Sequence, residues 1–150
     1  MKELIKEVST KQCFPVRHAV LRKGRPLSSC AFEDDQNEHC FHLGLFRKSE
    51  IVAIASFIPR GFPDQKTTKT SFQLRGMAVL DAHQGRGFGG QLLRHGLGLL
   101  KERGVHILWM NARIGAVAFY QKLEFSSIGD LFDIPPIGMH QRMYKVIQNE

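Results

Sequence analysis

Apolar and polar positions along the chain alternate with two periods, near two and near 3.6, and these divide it into strands and helices. Residues 3–8 (LIKEVS) predict a strand, and 16–23 (VRHAVLRK) a short helix opened by Pro15 and ended by Gly24. Residues 31–38 (AFEDDQNE) read as an acidic loop. Two strand patterns follow, 40–47 and 51–58, joined by the polar stretch Lys48-Ser49-Glu50, a hairpin signature. The Pro- and Gly-containing segment 59–70 is a loop, and 71–80 (SFQLRGMAVL) a long strand.

From Gly89 to Arg103, Leu92, Leu93, Gly96, Leu97, Leu99 and Leu100 fall on one helical stripe, with Gly104 just past its end. Residues 105–111 predict a buried strand, 115–123 a helix, 124–129 a short strand, and 139–147 a closing strand after a turn over 129–138. The order β-α-β-β-β-α-β-α-β-β predicts a mixed sheet with helices on its faces.

At 150 residues the chain reads as a single domain, 1–150, large enough to bury a core. No run approaches the roughly 20 apolar residues that span a bilayer. The opening MKELIKEVST alternates charged and apolar groups and reads as a strand rather than a signal peptide, so a cytoplasmic protein is expected. Cys13, Cys30 and Cys40 are odd in number and widely spaced, which suits a reducing compartment. HCFH at 39–42 lacks a second ligand pair at zinc-like spacing and predicts a structural cysteine and surface histidines, with no metal. The net charge of +7 is spread along the chain, in Arg17, Arg22, Lys23, Arg25, Arg75, Arg86, Arg94, Lys101 and Arg103, and raises the local concentration of anionic ligands.

The densest chemical signal is QGRGFGG at 84–90, four glycines in seven positions at the mouth of a predicted helix. Glycine loses more freedom on folding than any other residue, so such a cluster marks close approach of backbone to a ligand, commonly a phosphate. Gly85-x-Gly87-x-x-Gly90 satisfies the dinucleotide pattern. However, no Asp or Glu lies between Glu102 and Glu124 to hold a ribose, which excludes NAD. The Gly-Lys-Ser/Thr of a P-loop is absent, as are a catalytic Asp loop and a DFG-like metal site, which removes ATP.

Read instead as Gln84-x-x-Gly87-x-Gly89, the segment resembles the pyrophosphate loop of GNAT-superfamily N-acetyltransferases. LRGMAVL resembles that family's fourth strand, and ARIGAVAFYQKLEF its second signature, so two motifs stand at the family's separation over roughly residues 40–146. The resemblance implies an α/β (α+β) acyl-CoA N-acyltransferase fold, a mixed, mostly antiparallel sheet of six to seven strands flanked by helices. It implies acetyl-CoA as cosubstrate and direct acetyl transfer to an amine. The pyrophosphate would sit on the backbone of Gln84, Gly85, Arg86, Gly87, Phe88, Gly89 and Gly90 at the positive end of the helix dipole, with Arg86 and Gln91 as side-chain donors.

The same resemblance lays the acetyl-pantetheine arm on backbone groups that splayed strands present at Met77, Ala78 and Val79. It makes Tyr120 the proton donor to the leaving thiolate, a mildly uphill step from a phenol near ~10 to a thiol near ~8.5. Phe119 beside it is expected to serve packing. For the base, His140, Asp133 and the pair Asp34-Asp35 stand as alternatives, and His83 is expected to face solvent or phosphate. Two positions depart from the family pattern. Glu124 stands where glycine is usual, so the helix end is expected to be shaped differently, and Arg113 pairs with a CoA phosphate or points to solvent.

Acceptor specificity is expected from 17–38, 59–70 and 129–138, where Glu33-Asp34-Asp35 reads as a solvated loop, with attraction of a cationic amine as the alternative. The partner is a small-molecule or peptide amine, and neither a membrane nor nucleic acid is favoured, since the aromatics read as core. A homodimer through strands 124–129 and 139–147 is an open possibility. The rival readings are a non-catalytic acyl-CoA-binding domain of the same fold and, behind it, a basic nucleic-acid-binding module.

Overall fold

The computed structural model describes residues 3–64 and 70–147; positions 65–69 of the expected 59–70 loop lie outside them. Among the described residues seven strands are present: β1 (Leu4–Val8), β2 (Phe41–Arg47), β3 (Glu50–Pro59), β4 (Ser71–Val79), β5 (Ile107–Arg113), β6 (Ser126–Ile134) and β7 (Gly138–Val146). They join in the order β1-β2-β3-β4-β5-β7-β6. The β1–β2, β2–β3, β5–β7 and β6–β7 ladders are antiparallel and β4–β5 is parallel. The helices are α1 (Thr10–Val16), α2 (Phe88–Glu102) and α3 (Val117–Lys122). The chain divides into two compact units, residues 3–59 with 74–99, and residues 60–64 and 70–73 with 100–147.

In the first unit β2 and β3 are buried on both faces, which is why they read as near-continuous apolar runs. Lys48 and Ser49 turn the hairpin at φ 51° and 72°, the positive values that a two-residue turn between right-twisted strands requires. The first helix differs from the expected 16–23. It starts at Thr10, where Ser9 and Gln12 cap each other reciprocally: Gln12 N–H donates to Ser9 Oγ (3.2 Å) and Ser9 N–H to Gln12 Oε1 (2.8 Å). Pro15 lies inside the helix rather than at its start. Beyond it the chain widens into a single π-turn over Arg17–Leu21, where Arg22 N–H reaches Arg17 C=O at 2.9 Å.

Val8, Cys13, Val16, Ile54 and Ala78 form the core under α1. On α2, Leu92, Leu93 and Leu100 are fully buried as the stripe predicted, and Gly104 ends the helix at φ 79°. Gly96 has a packing reason: a Cβ there would stand 2.2 Å from the ring of Phe57, which stacks on Phe41 with centroids 4.8 Å apart. The helix lies against β3 at a distance only glycine permits.

In the second unit β5 pairs with β7 along its whole length, Ile107 opposite Val146 through Arg113 opposite His140. The expected short strand 124–129 instead runs to Ile134, with a register shift between Ile128 and Phe132. The turn is correspondingly shorter than 129–138, because the cis Pro135-Pro136 step and Gly138 at φ 123° reverse the chain directly. Glu124 also corrects an expectation. The helix end keeps the left-handed cap, at φ 70°, with Glu124 N–H donating to Gln121 C=O and Phe125 N–H to Tyr120 C=O. Lys145 Nζ lies 3.4 Å from both Leu123 C=O and Glu124 Oε1, which offsets the strain.

Replacing Gly96 by alanine is expected to destabilise the protein by about 1–3 kcal/mol through overpacking against Phe57. Urea denaturation measures this, and an unchanged midpoint would show that helix and strand can move apart freely.

Candidate functional site

In the first unit, the chain leaves β4 through a short turn at Asp81–His83 and enters α2 at Phe88. Gln84 ties the turn to the strand end, its side-chain amide donating to Val79 C=O (3.0 Å) and Asp81 Oδ1 (3.2 Å). Gly85 and Gly87 both adopt φ 80°, and no protein atom outside the adjoining residues lies within 4 Å of where their Cβ atoms would be. Their glycines answer a backbone conformation and leave open space in front of the helix entrance. Gln91 N–H makes the first bond into the helix, to Gly87 C=O (3.1 Å), so the amides of Phe88, Gly89 and Gly90 carry the partial positive charge of the helix start. The side chain of Phe88 is buried, so only its amide belongs to this surface, whereas Arg86 is exposed and Gln91 half-buried. His83 is half-buried and packs its ring against Phe88, 6.4 Å between centroids, with Nδ1 buried and unbonded.

Of the strand residues, Met77 and Val79 are half-buried while Ala78 packs into the core. The parallel ladder to β5 joins Ser71, Phe72 and Gln73 to Ile107, Leu108 and Trp109. Gly76 stands at φ 61° within β4, a left-handed residue inside the strand just before Met77.

The second unit holds Arg113, Tyr120, Asp133 and His140. Arg113 is exposed and lies opposite His140 in the β5–β7 ladder. Tyr120 is buried, in edge contact with Phe119 and Phe125, and burial pushes its phenol up to about 12. Phe119 is 37% exposed and packs its ring edge against Tyr120 at 5.0 Å between centroids. His140 is buried against Phe132, and its Nδ1 lies 2.7 Å from Gly138 C=O. A carbonyl only accepts, so the neutral ring carries its proton on Nδ1 and its lone pair on Nε2. Asp133 is exposed.

The acidic segment is not the solvated loop expected. Asp35 is buried, and its carboxylate takes a bidentate pair from Arg17, which has no exposed surface: Nη1 to Oδ2 at 2.8 Å and Nη2 to Oδ1 at 3.0 Å. Arg17 also donates to Cys30 C=O (2.7 Å) and Ser56 Oγ (3.0 Å), and its guanidinium stacks on Phe32 at 3.9 Å. Asp35 accepts the Phe32 N–H as well, at 2.8 Å. Asp34 pairs with Arg75 at 3.3 Å, so both members of the acidic pair proposed as base are engaged with arginines.

The bonds run further. Ser56 Oγ, already accepting from Arg17, shares a hydrogen bond with His42 Nδ1 (2.7 Å), and His42 Nε2 shares one with Thr10 Oγ1 (3.1 Å). His42 is therefore buried and bonded, not a surface residue. Burial, then the charge of Arg17, holds its ring below the usual imidazole range, with Asp35 and Glu7 opposing. Burial alone would raise Asp35, but the hydrogen bonds from Arg17 and the Phe32 amide, with the charges of Arg17 and His42, outweigh it and hold the carboxyl low. Removing one partner of such a pair costs about 3–5 kcal/mol. Its sequence signal is a charge on an apolar stripe, since Arg17 falls four positions after Cys13 and next to Val16, both buried.

Among the described residues no group of three or more His, Cys, Asp or Glu is placed to hold a metal ion, and no helix is long and apolar enough to cross a membrane. Residues 7–125 match the model of the "Acetyltransferase (GNAT) family". The chain is 36% identical over 144 residues to "Uncharacterized N-acetyltransferase YitI" of Bacillus subtilis (strain 168), covering 96% of each. It superposes with TM-score 0.75, at 20% identity, on the ribosomal-protein-S18-alanine N-acetyltransferase from Escherichia coli, covering 99% of this chain and 96% of the other. An aminoglycoside 6'-N-acetyltransferase complexed with coenzyme A superposes with TM-score 0.76 at 14% identity, covering 98% of each. At these identities the solved structures speak to the fold.

Because His42 is held below its reference value of 6.5, the unfolded chain takes up a proton below that pH while the folded chain resists it. Stability is expected to fall as pH drops from about 7.5 to 5.5, and His42→Gln to flatten that fall. Denaturant midpoints at the two pH values read the difference; identical slopes for both proteins would count against a neutral buried ring.

Proposed function

The chain belongs to the acetyltransferase (GNAT) family, and from that membership we propose that it moves the acetyl group of acetyl-CoA directly onto a primary amine through a tetrahedral intermediate. As an acetyl-CoA-dependent N-acetyltransferase it needs a site for a pyrophosphate. The observation that carries the assignment is the pair Gly85 and Gly87 at φ 80°, with empty Cβ positions before the unbonded amides of α2. An anion laid there meets backbone N–H groups and the positive end of a 15-residue helix. Arg86 and Gln91 add donors, and Arg113 is available to a CoA phosphate.

The backbone of Met77–Val79 is the proposed bed of the pantetheine arm. An N–H directed there at the acetyl oxygen would be worth about 3–4 kcal/mol in the tetrahedral intermediate. In the transfer the amine nitrogen bonds to the carbonyl carbon, the C–S bond breaks, the amine gives up a proton and the sulfur gains one. His140 is the base that fits best, because its Nε2 holds the lone pair. Tyr120 is the donor to sulfur. With its phenol at about 12 and a thiol near 8.5, complete transfer is uphill by about 5 kcal/mol. Tyr120 therefore acts as a neutral hydrogen-bond donor to the developing thiolate, its proton moving only as the bond to carbon breaks.

For the acceptor we propose a primary amine on a small molecule or peptide. A Haemophilus influenzae relative, 30% identical over 105 residues, is named for the alanine of ribosomal protein bS18, which makes peptide N-termini the first acceptors to try.

Calorimetric titration with acetyl-CoA, CoA, NAD and ATP is expected to show binding of the two CoA species alone, abolished in Gly87→Glu without loss of the melting transition. No CoA binding by folded wild type would sink the proposal. In an amine screen Tyr120→Phe is expected to lower kcat about 100-fold at little change in KM for acetyl-CoA. Tight CoA binding without turnover on any amine would leave an acyl-CoA-binding domain instead.

A further inference from the structure

We infer that Arg17, acting through the ring of Phe32, positions the left-handed residue Gly76 of β4 and with it the Met77–Val79 backbone on which the acetyl group is proposed to lie, an inference that rests on the reading of β4 above. Gly76 is a left-handed residue within a strand, and glycine holds no conformation by itself. What holds it is outside the strand. A Cβ on Gly76 would stand 3.0 Å from Phe32 Cε2 and 3.5 Å from Arg17 Nε, so ring and guanidinium edge occupy the side on which any side chain would project.

The ring in turn has little freedom. Arg17 covers it at 3.9 Å, and Arg75 and Arg22 flank it at 4.9 and 5.2 Å. Asp35 clamps the backbone of Phe32 through its N–H while clamping Arg17 through both oxygens. Arg17 is anchored separately to Cys30 and to Ser56 on β3. A continuous series of short contacts thus runs from β3 through Arg17 and Phe32 to Gly76.

One donor in this group is unanswered: Arg17 Nε, buried without a hydrogen-bond partner and turned toward Gly76. A buried ion pair is weak evidence for stability, because apolar replacements of like volume do as well. What a planar bidentate fork supplies that apolar packing does not is a fixed plane, and here the plane sets the ring that covers Gly76. Arg17 and Phe32 are positioning residues, since neither is proposed to touch a reacting atom.

The test is isotope-edited infrared spectroscopy of acetyl-CoA carrying a labelled carbonyl, bound to wild type, Arg17→Lys, Phe32→Leu and Thr10→Val. A carbonyl that accepts a well-aimed N–H absorbs at lower frequency. Wild type is expected to show that displacement, and Arg17→Lys and Phe32→Leu to lose most of it, at nearly unchanged acetyl-CoA affinity. Their kcat falls up to about 100-fold, as misplacement of a reacting group does. Thr10→Val removes only the far end of the hydrogen-bond network and is expected to keep the displacement. Should Arg17→Lys fail to fold, Phe32→Leu decides, because it leaves the Arg17–Asp35 pair whole. Full retention in Phe32→Leu, equal loss in Thr10→Val, or no displacement in wild type overturns the inference. Failure of wild type to bind acetyl-CoA, read by calorimetry on the same samples, would instead be a failure of the proposed function.

Discussion

A guanidinium with no exposed surface must be answered by protein on every side, and the answers given to Arg17 organise the first unit. Four of its five N–H groups are bonded, to one carboxylate, one backbone carbonyl and one hydroxyl. These partners come from two short turns after α1 and from β3, so the pair closes a stretch that carries little regular structure of its own. Burial of a charge is costly, and the pair is tolerable only because its geometry is bidentate and its surroundings polar, with Ser56 and His42 extending the bonds to Thr10. The wide π-turn at Arg17 belongs to the same arrangement, since residue 17 begins the turn and aims inward from it.

Two kinds of backbone preparation meet in this unit. At Gly85 and Gly87 the chain takes left-handed values with open space beside the missing side chains. At Gly76 it takes a similar value with Phe32 and Arg17 packed against the same position, so the space is filled. An open glycine leaves its backbone accessible, whereas a covered one has neighbours packed where a side chain would project. Both uses rest on the freedom of glycine at positive φ.

How much of this could be read from the sequence differs by element. The leucine stripe of α2, the Lys48-Ser49 hairpin and the glycine loop are local patterns, and each was legible because neighbours in sequence produce it. The start of α1 was legible too, in Ser9-Thr10-Lys11-Gln12, but Pro15 drew the expected boundary six residues late. The environments of Asp35 and His42 were not legible. Both sit in polar stretches that look solvated, and their burial depends on Arg17, 18 and 25 positions away. The long β6 was hidden for another reason: most of its side chains are exposed, so its apolar alternation is faint. Glu124 shows that a departure from a family pattern need not change the backbone when a lysine on a neighbouring strand can answer the same carbonyl.

The order of strands in the second unit has a consequence for how the chain is made. β7 lies between β5 and β6 although it is the last of the three in sequence. During synthesis the apolar run Ile107-Leu108-Trp109-Met110 therefore emerges before its antiparallel neighbour exists. At about 5–20 residues per second the wait is about 2–7 s. Throughout that interval the nascent chain presents an unpaired, aggregation-prone edge. Pairing on that side of β5 waits for β7, and until then the nascent chain depends on whatever shields the edge.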